Sequence, residues 1–295
     1  MTFMNRRILE RHKKAPSAFV FMARAFLPSP GFAQGRTVPD IIQRWEGLRI
    51  ESEHLAAFRH ASGLFEEDGV SILYPHVLGF RLQMALLTHR AYPLPIWNAL
   101  QVRNHLIRHR RFRPGERLDL ETRIGAYRRV DKGVEIDLHS RLMRDAECCW
   151  ESEVTYFHRG RFGNPTSGSS VEAPNLAQAP VVDRFSMPKG GGWHFGNLTG
   201  DYNGIHWAKW YAKRLGFRAA FLHPQRVAGM CLARIRGPES EAQTLQLWIK
   251  GPLFYGARVA LNADTTLQGV QFGLSIDGDH RFALSGQWQA GDGAR

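Results

Sequence analysis

The chain has 295 residues, of which 43% are hydrophobic, enough to bury two cores of ordinary size. Its formal net charge is +12, but no nucleic-acid-binding motif accompanies the densest run of arginines, between residues 108 and 117. We therefore expect a basic, solvated surface and no nucleic-acid partner. The three cysteines, Cys148, Cys149 and Cys231, lack the spacing of a metal site, so we expect a reduced, cytoplasmic protein.

The N-terminus combines basic residues with a short apolar run. Lysines and arginines precede residues 18–23, and Arg24 interrupts the run. The run is far too short to span a bilayer, which takes about 20 apolar residues. We therefore expect an N-terminal helix packed on the domain rather than a signal peptide, and no membrane partner.

Two segments of the chain share one pattern. Leu73-Tyr74-Pro75 leads into an apolar segment, residues 77–86, and Leu222-His223-Pro224 leads into another, residues 227–235. Because proline is favoured at the first position of a helix, Pro75 and Pro224 each predict a helix start. Because both helices are apolar on almost every side, each must be wrapped by other structure, and a sheet is the natural wrapping.

Strand patterns follow the two helices in the same order. Residues 112–120 match residues 253–261, and residues 133–138 match residues 269–274, which indicates an internal repeat. Strands are predicted after the second helix at residues 245–249, 258–263, 270–276 and 282–288. Between the two units, residues 161–180 are too rich in Gly, Ser and Pro to build a core, and they are interpreted as a linker.

The segment of residues 198–206 holds a carboxylate and an imidazole five positions apart. Gly200 and Gly204 permit a tight backbone, and Asp201 and Asn203 are residue types whose side chains bond nearby amides or cap a helix. We therefore expect a well-fixed loop.

A helix is predicted to begin at Ile205, because apolar residues then recur every three or four positions as far as Leu215. Gly216 is placed to end it. His206 would lie in the first turn, where the partial positive charge of a helix start disfavours imidazolium and keeps Asp201 ionised.

Asp201 and His206 are the candidate catalytic pair. A carboxylate and a neutral imidazole that converge on one point can hold and polarise a water molecule for general acid/base chemistry. On spacing alone, the alternative is that Asp201 is a helix cap and His206 a structural histidine. The remaining histidines, among them His76 and His223, have no companions at ligand spacing, so we treat them as structural or surface residues and expect no metal.

The segment of residues 199–206 resembles the hydratase signature of the MaoC-like, or R-specific enoyl-CoA hydratase, family, which runs small-Gly-Asp-x-Asn-Pro-aliphatic-His. The chain departs from it at Gly204, where the family has proline. The family's His-Gly pair at the start of the central helix is assigned to Ala228-Gly229. The resemblance implies an α+β fold, the double hotdog, in which two central helices are each wrapped by an antiparallel β-sheet.

The resemblance also implies residue roles. Asp201 and His206 would bind the catalytic water, Gly200 and Asn203 would support the loop, and the backbone amide of Gly229 would contact the thioester carbonyl. It implies no cofactor.

One active site is predicted, in the second half. Counted back from the two helix-start prolines, the positions that correspond to the catalytic pair are Ser52 and Ala57, and neither can do acid/base chemistry. By resemblance to related double hotdogs, the first half would supply walls for the acyl chain, with Phe80 and Met84 as pocket candidates. The predicted organisation is an N-terminal hotdog half with a helical extension, a linker and a catalytic C-terminal half, at residues 1–160, 161–180 and 181–295.

We therefore predict reversible hydration of trans-2-enoyl thioesters to R-3-hydroxyacyl thioesters by a protein that can form a homodimer. The carrier would be coenzyme A or an acyl carrier protein, whose negative charge basic side chains would attract. Two alternatives stay open. A non-catalytic acyl-thioester binding module is suggested by Gly204 and Ala228, and a hotdog thioesterase is the other, although the hydratase loop argues against it.

Overall fold

The computed structural model describes residues 7–32, 38–65, 69–166 and 172–291. Within these ranges eleven strands form one sheet. They are β1 (Ile8–His12), β2 (Ile41–Arg49), β3 (Ala99–Arg108), β4 (Arg117–Val130), β5 (Gly133–Arg144), β6 (Glu147–Arg159), β7 (Val181–Ser186), β8 (Gln243–Ile249), β9 (Arg258–Thr266), β10 (Gly269–Ile276) and β11 (Phe282–Ala290). The four strands predicted after the second apolar helix are all present, as β8 to β11.

Six α-helices accompany the sheet in the described part of the chain. They are α1 (Ala18–Ala25), α2 (Ser52–Ser62), α3 (Tyr74–Leu87), α4 (Gly192–Thr199), α5 (Lys209–Arg214) and α6 (Pro224–Leu232). The predicted N-terminal helix is present as α1. Among the described residues, no helix has the length and hydrophobicity needed to cross a bilayer.

The sheet consists of two sets of strands that meet at its centre. Its order is β1-β2-β4-β5-β6-β3-β8-β11-β10-β9-β7, so six strands precede residue 160 and five follow residue 180. β3 and β8 run antiparallel, with Asn104 opposite Leu247, and join the two sets. The division of the chain into two halves and a linker at 161–180 stays a prediction, and residues 167–171 of that linker lie outside the described residues.

The two predicted apolar helices, α3 and α6, lie at the centre of the protein. Thirteen of the 14 residues of α3 and eight of the nine residues of α6 are buried. α3 packs on β2 and β4. Val227 of α6 shares a core cluster with Leu245 and Leu261 of the second set of strands. α6 ends at Leu232, three residues before the predicted end.

The helix predicted to begin at Ile205 is not continuous. Residues Gly204–His206 form one 3-10 turn, and α5 begins only at Lys209. Ala208, between them, has an extended backbone. His206 therefore precedes the α-helix and does not lie in its first turn, so that prediction is wrong.

Local hydrogen bonds explain the break. The Asn203 side-chain oxygen accepts from the Ile205 N–H at 3.3 Å, and the Phe221 N–H donates to the Ile205 carbonyl at 3.2 Å. The N–H and the carbonyl of Ile205 are therefore both hydrogen-bonded to groups other than the backbone partners of an α-helix. The predicted end is correct, since α5 stops before Gly216, whose φ of +89° is in the left-handed region.

Candidate active site

The loop that carries the candidate pair is held by short polar contacts. α4 ends at Thr199, and the next residue, Gly200, caps it with a φ of +84°, a left-handed conformation that suits glycine. The Asp201 N–H donates to Thr199 Oγ1 at 2.9 Å, and the Asn203 N–H donates to Asp201 Oδ1 at 3.1 Å. Because the loop occupies Oδ1, the other oxygen of Asp201, Oδ2, is left for a different partner.

His206 is aimed at that oxygen. Its Nδ1–H donates to the Phe221 carbonyl at 3.0 Å, so the lone pair is on Nε2. Nε2 lies 3.6 Å from Asp201 Oδ2. The His206 carbonyl accepts from the Tyr255 hydroxyl at 2.7 Å, which fixes the backbone as well as the ring. The structure therefore brings the two predicted catalytic side chains together.

The space beside the two side chains suits a shared small molecule. A distance of 3.6 Å is too long for a good hydrogen bond, but one water can reach both atoms. The side chains of Asp201 and His206 are only 14% and 6% exposed. Both line a cavity of about 570 Å³, within the range of small-molecule sites.

Burial shifts the pKa values of the two groups in opposite directions. Enclosure by protein raises the pKa of Asp201, although His206 and the Asn203 N–H act against the shift. The same enclosure lowers the pKa of His206, against the effects of Asp201 and the Phe221 carbonyl. The neutral imidazole expected from the sequence is therefore favoured by burial and not by a helix dipole.

His223 is a third member of the site. Its ring stacks on the His206 ring with centroids 3.8 Å apart, and its Nε2–H donates to the Asp201 carbonyl at 3.1 Å. The side chain is fully buried, and burial holds its pKa well below the ordinary value. The sequence pattern indicates a structural or surface role for His223 and does not predict its contact with the candidate pair.

The start of α6 does not lie at Ala228-Gly229. His223 is its N-cap and Pro224 its first residue, whereas Ala228-Gly229 lies in the middle of the helix. His223-Pro224 therefore occupies the place, at the start of the central helix, that the resemblance gives to the family's His-Gly pair. The signal for this alignment was the proline itself, which already predicted the helix start.

Gly229, the candidate for the oxyanion contact, does not line the cavity. A Cβ at this position would lie 2.6 Å from the Cβ of Ser62 in α2. Glycine is therefore required where α6 crosses closely over α2, and the structure gives Gly229 a packing role.

We expect Gly229→Ala to lower the free energy of unfolding by about 1–3 kcal/mol, because the new methyl group overpacks the contact with Ser62. Urea unfolding measures the change. In the Gly229→Ala, Ser62→Gly double variant the opposing Cβ is gone, so the two losses should be less than additive. Strictly additive losses would rule out the packing role.

The cavity extends from the candidate pair into the N-terminal part of the chain. Phe80 and Met84 of α3, the predicted pocket residues, line it, as do Gly200 and Asn203. Its remaining apolar wall includes Phe21, Met22, Phe26, Ile96, Trp97 and Leu100.

A polar cluster interrupts this apolar wall. Gln101 and Gln225 line the cavity and are joined by a hydrogen bond of 3.1 Å. Nε2 of His76 lies 3.2 and 3.4 Å from their amide nitrogens, so it accepts and the ring is neutral. Burial lowers the pKa of His76 to about 4. The cluster joins α3, β3 and α6.

Asp201, His206 and His223 could also be considered as metal ligands, since each offers a ligand atom within 4.8 Å of the others. The hydrogen bonds argue against this use. Nε2 of His223 carries the hydrogen that the Asp201 carbonyl accepts, so it has no lone pair for an ion. Two ligands remain, one fewer than catalytic zinc sites take from protein.

The run of arginines between residues 108 and 117 is not entirely a solvated surface. Arg108 is buried and donates to the carbonyls of Val70, Ser240 and Glu241. The expectation of a solvated face is therefore wrong for Arg108, whose charge is used inside the protein.

Comparisons with known proteins identify relatives of this fold and sequence. No protein-family model matches the chain. It is 25% identical over 219 residues to 3-hydroxyacyl-thioester dehydratase X of Mycobacterium tuberculosis, covering 73% of this chain and 77% of that protein. The crystal structure of this relative, HtdX, gives a TM-score of 0.72 at 21% identity, covering 84% of this chain and 99% of the other.

Two further structures agree. A MaoC-like dehydratase from Phytophthora capsici gives a TM-score of 0.67 at 17% identity, covering 87% of this chain and 97% of the other. A Mycobacterium tuberculosis protein with a double hotdog fold gives 0.53 at 12% identity, covering 89% and 98%. The resemblance to the MaoC-like family is confirmed. The predicted fold is also confirmed: the chain is a double hotdog, with α3 and α6 as its central helices.

Proposed function

We propose that this protein is a hydro-lyase that reversibly hydrates trans-2-enoyl thioesters to R-3-hydroxyacyl thioesters. The observation that carries the proposal is the approach of Asp201 Oδ2 to His206 Nε2, 3.6 Å apart at the wall of the cavity. The name of the Mycobacterium tuberculosis relative, a 3-hydroxyacyl-thioester dehydratase, supports the same reaction in the reverse direction.

Asp201 and His206 would hold the reacting water between them. With the carboxylate ionised and the imidazole neutral, both atoms are acceptors, so the water donates one hydrogen to each and turns a lone pair toward C3 of the substrate. As oxygen bonds to C3, the pair takes one proton from the water and delivers one proton to C2 on the same side, so the addition is syn. The two titrations are coupled, and the acid and base roles belong to the pair.

The first turn of α6 would stabilise the negative charge that develops on the thioester oxygen. This turn has no side-chain cap, and Pro224 has no N–H to offer. The Gln225 N–H is therefore the first of the helix, and Gln225 lines the cavity. We assign the oxyanion contact to this N–H in place of Gly229, and such a contact can contribute about 10²–10³-fold to the rate.

The acyl chain would run from the catalytic pair toward α3 and α1. We expect Met84→Trp to fill part of this path, lowering kcat/KM for enoyl-CoAs of ten or more carbons by at least about tenfold while leaving crotonyl-CoA unaffected. A series of chain lengths measures the effect. Met84→Leu preserves the volume and is the control; an equal fall for all chain lengths in Met84→Trp would contradict the path.

The proposal includes a thioester of coenzyme A or of an acyl carrier protein as substrate, a cytoplasmic location and a homodimer. The three cysteines support the location, since all are free thiols.

The direct test is to supply the purified protein with trans-2-enoyl-CoAs of graded length. Hydration removes the absorbance of the conjugated double bond, and an R-specific 3-hydroxyacyl-CoA dehydrogenase detects the product. Thiol release is followed in parallel. Free thiol without loss of the double bond would identify a thioesterase, and tight binding without either change would identify a binding module.

A further inference from the structure

An exposed aromatic cluster lies at the opening of the cavity. Trp193, Trp207 and Trp210 are 53%, 45% and 69% exposed, which is unusual for tryptophan. The ring centroid of Trp193 lies 5.1 Å from that of Tyr202 and 5.1 Å from that of Trp207. Tyr202, Trp207 and Trp210 also line the cavity that contains Asp201. We call these four aromatic residues the mouth cluster.

The mouth cluster presents aromatic side-chain surface to solvent. The Trp207 Nε1–H donates to the Tyr202 carbonyl at 3.1 Å, so its polar group is already satisfied within the protein. Trp193 meets Trp207 edge-on, at an interplanar angle of 85°, and Tyr202 at 52°. The rings support one another, and flat apolar surface remains for a partner.

The chain segment that carries the mouth cluster is strongly positive. Residues 187–222 contain five lysines and arginines but one acid, Asp201, which faces the cavity. The five basic residues are all exposed: Lys189, Lys209, Lys213, Arg214 and Arg218. Lys250 is also exposed and lines the cavity. This surface attracts phosphate groups.

We propose that the mouth cluster binds the nucleotide end of coenzyme A, so that the substrates are CoA thioesters. This inference rests on the proposed function. The adenine stacks on exposed indole surface, as nucleic-acid bases stack on aromatic side chains, and the phosphates meet the surrounding basic groups. The pantetheine arm then carries the acyl group past Trp207 to the neighbouring His206.

The first experiment compares two carriers. In the Trp193→Ala, Trp210→Ala double variant, we expect the KM for crotonyl-CoA to rise about tenfold or more with kcat little changed, because each lost stacking contact weakens binding of the base. The KM for the crotonyl thioester of pantetheine, which has no nucleotide, should stay constant. Leu267→Ala removes an exposed apolar side chain in the turn between β9 and β10 and is the control.

The second experiment measures binding without turnover. Adenosine 3′,5′-bisphosphate should quench the tryptophan fluorescence of the wild-type protein and should compete with crotonyl-CoA; the double variant should lose the quenching. This readout is independent of hydration, so it remains informative if the chain proves to have no hydratase activity. The proposal is overturned if the nucleotide neither quenches nor competes. It is also overturned if the crotonyl thioesters of coenzyme A and of pantetheine have the same KM in the wild-type protein while an acyl-carrier-protein thioester turns over faster.

Discussion

The Asp201→Asn variant should hydrate crotonyl-CoA about 10²–10⁴-fold more slowly than the wild-type protein, with the loss in kcat rather than in KM. Asparagine keeps an oxygen for the Asn203 N–H, which now donates to Asp201 Oδ1 at 3.1 Å. Its amide nitrogen, however, cannot take a proton from water. Stability should stay near the wild-type value, because the substitution removes a carboxylate that burial disfavours.

His206→Asn should cause a loss of the same size for the complementary reason. Its side-chain N–H can replace Nδ1 in the bond to the Phe221 carbonyl, which spans 3.0 Å, but nothing replaces the acceptor Nε2. A loss of about 1–2 kcal/mol in stability is expected from the missing stack on His223.

The control is His54→Asn. His54 bonds Tyr74 and the Leu198 carbonyl and does not line the cavity, so this variant loses stability without losing the chemical step. Steady-state kinetics and urea unfolding on the same preparations separate the two effects. Wild-type kcat in either Asp201→Asn or His206→Asn would disprove the catalytic pair.

The central helices could be predicted from the sequence because their cause is local. A helix with apolar residues on every side has one stable environment, and the prolines at residues 75 and 224 mark where each helix begins. The strands β8 to β11 could be predicted in the same way, from strand-like runs of residues that are mostly separated by glycines. The catalytic candidates could be predicted from one short segment, because the hydrogen bonds that fix the loop of Asp201 join residues only two positions apart.

What the sequence did not predict depends on contacts between distant residues. His223 meets Asp201 across 22 positions, and Arg108 is buried against carbonyls more than 130 positions away. The break before α5 comes in part from the Phe221 N–H, which holds the Ile205 carbonyl. The periodicity of apolar residues does not reveal such long-range contacts. It therefore predicts a continuous helix from Ile205, where the structure has a 3-10 turn and a break before α5.

The second large effect expected is acid destabilisation through buried histidines. Burial lowers the pKa of His76 and of His158 to about 4, and it also lowers the pKa of His206 and His223. In the unfolded chain an ordinary histidine titrates near 6.5. Between these values the unfolded chain binds protons that the folded protein excludes, so the free energy of unfolding falls as the pH falls below 6.5.

Urea unfolding between pH 7.5 and 5 measures this loss. Each buried histidine contributes about 1.36 kcal/mol per pH unit inside the window, so His76 and His158 together give a slope of about 2.7 kcal/mol per unit, and above pH 7 the slope should vanish. His76→Gln should reduce the slope by about half, because one of the two histidines is gone, even if the variant is less stable at pH 7. A flat profile between pH 7 and 5 would mean that these imidazoles gain protons inside the fold, and the neutral acceptor assigned to His76 beside Gln101 and Gln225 would then be untenable.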